Sequence, residues 1–244
     1  GKGRYVAVDG AGDGSDDPIA TGTGASAFGP QAMADGQASV AVGTQSLTLG
    51  DGAISVGGTS TALGTHALAI GQGASAGGDF NTAVGGTYLG LVNGQPVQRV
   101  TTASAAGASA FGAGAQATGV NSLALGTASS AEDQSTAVGF GSSARDAYAT
   151  ALGTYSQAES EGTAIGYGAK ALLHGTTAVG WNAEATGLYA IAMGLGSSAT
   201  QWSSLAIGVF ADASGSGSIA IGELAAGSGA DGVAAPGMLA VPQA

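Results

Sequence analysis

The chain has 244 residues with 47 glycines, 9% charged and 5% aromatic residues, and a net charge of −11. An apolar content of 44%, placed periodically, excludes a disordered chain, which combines low hydrophobicity with high charge. Glycine does not recur every third residue, which excludes collagen, and at about 1 kcal/mol per interior glycine it defeats a long helix. The acidic balance is wrong for a nucleic-acid or anionic-membrane partner. The lack of cysteine suits an exported protein. No apolar run reaches the roughly eighteen residues of a membrane-spanning helix, so no direct membrane contact is expected of this segment.

The chain opens on Gly1-Lys2-Gly3, with neither an initiator Met nor a signal peptide, and reads as a mature or excised segment. Residues 1–19 form a lead-in that contains the run Asp9-Gly10-Ala11-Gly12-Asp13-Gly14-Ser15-Asp16-Asp17. Clustered carboxylates suit calcium. This run lacks both the terminal Glu of an EF-hand and a repeated calcium-binding nonapeptide, so a solvated acidic turn is expected.

Over residues 20–222 a short phrase ending in glycine returns every 14 residues, occasionally every 13. Copies include Ser39-Val40-Ala41-Val42-Gly43, Ala67-Leu68-Ala69-Ile70-Gly71 and Ser218-Ile219-Ala220-Ile221-Gly222. Self-similarity at a fixed period means a solenoid. The residue before each anchor glycine is a larger apolar one, the residue before that is almost always Ala, and Val, Ile, Leu, Thr or Ser precedes it. This alternation predicts a strand with the flanking pair on one face and Ala on the other. After the glycine, the third and fifth positions are small, and a second glycine often follows, as at Gly36, Gly50 and Gly64. One coil is therefore two short strands joined by two tight turns, with glycine allowing positive φ at each. The expectation is an all-β parallel solenoid of about fourteen coils.

The Ala column, Ala124, Ala137, Ala151, Ala164, Ala178, Ala192, Ala206 and Ala220, is expected to point away from the larger side chains. A continuous apolar ribbon of small residues marks an interaction surface. These alanines are therefore the predicted contact between side-by-side copies of the chain.

One interval, from Gly85 to Gly112, is 27 residues long. It holds two β-rich runs around Asn93-Gly94, which predict a hairpin inserted at about residues 86–102. Tyr88, Asn93 and Arg99 on this insertion, with the exposed-looking Trp202, are the candidate ligand contacts. In later coils Phe140, Tyr167, Trp181, Leu195 and Val209 each follow an anchor glycine, predicting a side-chain ladder near a corner that closes the roll or meets another subunit. Thr136, Thr150, Thr163 and Thr177 stand where other coils carry Val, Ile or Leu, so packing is favoured over ice binding. After Gly222 the pattern decays, and residues 223–244 are read as an irregular connector.

Chemistry is not expected. Gly73-Ala74-Ser75-Ala76-Gly77 matches a nucleophile elbow, and Gly139 to Ala144 a dinucleotide loop, but both need a helix to follow. Here they recur because the coil recurs. His66 and His174 are far apart in sequence and without cysteine, so no catalytic centre, cofactor or metal is predicted.

The phrase Asn121-Ser122-Leu123-Ala124-Leu125-Gly126, with its copies ending at Gly43, Gly71, Gly208 and Gly222, closely resembles the head repeat of trimeric autotransporter adhesins, the YadA-like group. Tyr5-Val6-Ala7-Val8 is similar to the short strand that leads into such heads. The resemblance implies a left-handed parallel β-roll and a homotrimer. It also implies display on a Gram-negative surface, anchored in the outer membrane through C-terminal regions absent from this chain. The expected function is non-catalytic attachment to host extracellular matrix or cells. The alternative is a structural spacer that projects another tip domain without binding.

Overall fold

The computed structural model describes residues 13–92, 94–229, 233–234 and 239–240. The chain divides into two compact units, Gly1–Asn121 and Ser122–Ala244. Each is a parallel β-solenoid, and every regular element among the described residues is a strand.

Each coil contributes a three-residue strand that ends just before its anchor glycine and a two-residue strand beyond the next turn. In the second unit Thr136–Val138, Thr150–Leu152, Thr163–Ile165 and Thr177–Val179 pair in parallel, with Ala137, Ala151, Ala164 and Ala178 in register. Ser143–Ala144, Gln157–Ala158, Lys170–Ala171 and Glu184–Ala185 form the second ladder in the same way. The first unit repeats this scheme from Ile19–Ala20 to Gln116–Ala117. Its Thr82–Val84 pairs directly with Ser109–Phe111, so the inserted hairpin leaves the ladder unbroken.

Pairing also continues beyond residue 222, where the sequence predicts an irregular connector. Ala226–Gly227 pairs with Asp212–Ala213, Val233–Ala234 with Ile219–Ala220, and Leu239–Ala240 with Ala226–Gly227. The ladder is made by backbone groups, so it continues without the full side-chain phrase. The proposed lead-in strand at Tyr5–Val8 lies outside the described residues.

The Ala column is the interior of the coil, which overturns its expected role as a contact between chains. Ala124, Ala137, Ala151, Ala164, Ala178, Ala192, Ala206 and Ala220 are each 0% exposed within a single chain. Four positions per coil point inward, as Ala137, Ser142, Ala144 and Ala149 do around Gly139. Two ladders joined by tight turns leave a gap that admits only small side chains. Among the described residues the bulkiest fully buried ones are Asn81, Thr48, Thr101 and Thr176. The alternation is as predicted, but its sense is reversed: Val, Ile, Leu, Phe and Met beside the anchor glycine face outward.

Glycine is required for two different reasons. The anchor Gly139 has φ +131°, and a Cβ there would lie 2.6 Å from the carbonyl of Gly153 in the next coil. At the second turn Gly36, Gly50 and Gly64 have ordinary φ, but a Cβ would fall on the carbonyl oxygen of the coil stacked against them. Close approach, not positive φ, sets glycine there. The left-handed positions are instead the second residue of each turn, such as Gly141, Tyr155 and Asn182 at the first turn and Gly52, His66 and Tyr189 at the second. Gly139→Ala should cost about 1–3 kcal/mol in backbone strain alone, plus displacement of the next coil. Gly24→Ala, at φ +74° with nothing within 4 Å of the added Cβ, should cost clearly less. Paired urea melts check the order.

Polar groups in this narrow core are satisfied locally. Ser129, Ser142 and Ser156 each donate a hydroxyl hydrogen bond to the carbonyl of their own anchor glycine, at 2.8, 2.9 and 2.8 Å. Buried Asn81 donates to Ala103 O at 2.7 Å and accepts from Ala108 N at 3.0 Å. Among the described residues Ser39 is the exception: its Oγ is buried without a hydrogen-bond partner, where the two flanking coils carry Ala25 and Ala53. Ser39→Ala should therefore stabilise the protein by about 1 kcal/mol, read as a higher denaturation midpoint.

Candidate interaction surfaces

The outer face of the three-residue strands is uncharged and largely apolar. The residues before the anchor glycines include Phe28, Ile70, Leu125, Ile165, Met193 and Ile221, all exposed. Thr136, Thr150, Thr163 and Thr177 lie on this same outward face, half-buried. From the first residue of this strand to the second residue after the glycine, the fourteen phrases carry a single charged residue, Glu223.

Charges gather on the opposite side of the coil. Lys170 and Glu184, in register on the two-residue strands, pair at 3.3 Å. At the second turn Arg145 meets Glu159 at 3.7 Å, and His174 Nε2 lies 3.6 Å from Glu161. All are solvent-accessible pairs worth well under about 1 kcal/mol each. Several second-turn acids cap backbone instead: Asp51 accepts from Gln37 N at 2.7 Å, Asp79 from Thr65 N at 2.8 Å and Glu132 from Asp146 N at 3.2 Å. In the amino-terminal acidic run, the Ser15 hydroxyl and N–H both donate to Asp13, which holds its carboxyl below the usual carboxylate range. Residues 9–12 of that run lie outside the described residues, and no group of three metal-binding side chains stands among the described ones.

The second turn also exposes rings. His66 stacks on Phe80 at 5.5 Å, and His174 meets Tyr189 edge-on at 5.5 Å. The histidines thus act in packing between coils. Trp202, a candidate ligand contact, lies at this turn and is 57% exposed.

The hairpin pairs Thr87–Val92 with Gln95–Val100, antiparallel. Tyr88 and Arg99 are opposite one another on its half-buried face, and the Cβ atoms of both come close to Gly114 of the next coil. Two of the predicted ligand contacts therefore pack the hairpin down onto the solenoid. Asn93 lies outside the described residues. On the opposite face Leu89, Leu91, Pro96 and Gln98 are exposed, while Thr87 and Val100 at the base of the hairpin come close to Gly73 of the preceding coil. Strand alternation alone could have separated these two faces, but not indicated which one meets the coil.

At the first turn of the second unit, four rings form a continuous ladder. Phe140, Tyr155, Tyr167 and Trp181 follow one another with centroid separations of 5.3, 6.1 and 6.3 Å, each edge-to-face with the next. The sequence points to three of these rings. Tyr155 escapes a column-by-column reading because it is the second residue after its glycine, not the first. Its φ of +57° swings the ring into the gap between its neighbours.

Parallel coils with an alanine interior, an uncharged, largely apolar strand face and a charged opposite edge define a β-solenoid repeat protein. The family described as "YadA head domain repeat (2 copies)" matches residues 20–46, 49–74, 62–86, 103–129, 130–156, 160–183, 174–197, 185–201 and 203–223. The chain belongs to this family, the head repeats of trimeric autotransporter adhesins. Such heads are non-catalytic, and the adhesins that carry them are surface-exposed outer-membrane autotransporters. No curated protein matches the chain.

Proposed function

We propose that this chain is a segment of a non-catalytic, homotrimeric adhesin head with left-handed coils. On this reading it is displayed on a Gram-negative bacterial surface and attaches to host extracellular matrix or cells. The observation that carries the trimer is the inverted packing: the core is alanine, while Val, Ile, Leu and Met are left outside in an uncharged ribbon. Covering such half-exposed side chains yields on the order of 1 kcal/mol each, repeated at every coil. Trimer contact therefore runs through the larger strand residues rather than through the Ala column.

Identical coils on three chains present many weak contacts at once, so avidity replaces a deep pocket. The surfaces left for a ligand are the second turns, including Trp202, and the outer hairpin face with Leu89 and Leu91. The test is binding of the purified assembly to immobilised collagen, fibronectin and laminin. Saturable binding weakened by Trp202→Ala or by Leu89→Ser supports the adhesin. Null binding across the panel, with adhesion intact in cells lacking this segment, makes it a spacer.

A further inference from the structure

We infer that the ladder Phe140–Tyr155–Tyr167–Trp181 is covered by a second copy of this chain, so that the self-association face turns the corner at the first turn of these coils. The inference rests on the self-association reading above. Three observations select another copy, rather than a foreign ligand, as the occupant.

The first is continuity. Each of three rings follows a ribbon residue across a single glycine: Val138-Gly139-Phe140, Ile165-Gly166-Tyr167 and Val179-Gly180-Trp181. In these coils ribbon and ladder are therefore separated by one glycine only, with no charged residue between them.

The second is charge. From Thr136 to Asn182 the three-residue strands and first turns carry no charged residue, whereas the remainder of the same coils carries Arg145, Asp146, Glu159, Glu161 and Lys170. Interface cores are depleted in charge and enriched in aromatic residues. Here the uncharged zone is wider than the strand and ends only beyond the rings.

The third is that the rings serve no interior. Tyr167 and Trp181 are both exposed within the single chain, while the core beneath them is alanine and serine. Edge-to-face contacts hold them as a rigid ridge. The first turns of the other unit differ: Gln45 Nε2 donates to Gln31 Oε1 at 2.8 Å, and the hairpin sits on Gly114.

The chain's two tryptophans make the test direct. Trp181 stands on the ladder and Trp202 at a second turn, and in the isolated chain they are almost equally exposed, 55% and 57%. Single-tryptophan variants Trp202→Phe and Trp181→Phe separate their signals, with circular dichroism confirming the fold of each. In protein that sediments as an oligomer, Trp181 should emit at shorter wavelength than Trp202 and resist acrylamide quenching several-fold better. Trp181→Glu should raise the monomer fraction, and Trp202→Glu should leave it unchanged. Equal quenching of the two tryptophans in a sedimenting oligomer overturns this inference while leaving the oligomer intact. A protein that sediments only as monomer overturns the oligomer itself, and the inference with it.

Discussion

Replacing Ala151 by leucine should unfold the surrounding coils and not simply separate the chains. Ala151 is 0% exposed, and its register partners are Ala137 on one side and Ala164 on the other. Overpacking an ordinary core costs about 1–3 kcal/mol because neighbours can rotate or shift. Here the neighbours are alanines, which have no rotamers to change, and the walls are two backbone ladders closed by turns at both ends. The expected loss lies at or above the upper end of that range. Because a solenoid is stabilised coil against coil, the damage should spread to adjacent turns. Loss of the β signal in circular dichroism and a sharply lowered melting temperature check it. An unchanged melt with altered sedimentation would return the Ala column to the surface.

Ile165→Glu should do the reverse: retain the β signal and lose the assembly. Ile165 occupies the outward position next to its anchor glycine and is exposed in the single chain, so the coil itself tolerates the change. In a homotrimer the substitution places three carboxylates in one contact. An uncompensated buried charge costs about 3–5 kcal/mol, and the three copies act together. Gln157→Glu, which sits on the two-residue strand among the charged positions, should leave assembly untouched. Sedimentation velocity at matched concentrations distinguishes the two. Equal behaviour of both variants would remove the strand face from the interface.

Much of the fold is legible in the residues alone. The recurring glycine, the apolar–Ala–apolar phrase and the 27-residue interval predict parallel coils and the hairpin, and the structure has all of these. The phrase also suffices to place the chain among the YadA head repeats. The candidate surfaces are less legible. Tyr88 and Arg99 look like free contacts on a protruding loop, yet both face Gly114. Which face of a two-stranded ribbon lies against the body depends on how its twist carries it over the next coil, and period-two alternation is silent on that. Asp51 and Asp79 at the second turn cap backbone N–H groups of the adjacent coil. That role needs two coils in register, which no single repeat displays.

The sequence by itself determined the period, the strand positions, the insertion and the segregation of charge, because each is a property of residue order along one coil. Only the tertiary structure decided which side of the strand is inside. Alternation defines two faces but not their sense, and the ordinary expectation that the larger apolar residues are buried fails here. Two ladders closed by tight turns are too near one another to admit anything larger than a few threonines and one asparagine. The alanines therefore fill the coil, and the valines, isoleucines and leucines are left facing outward.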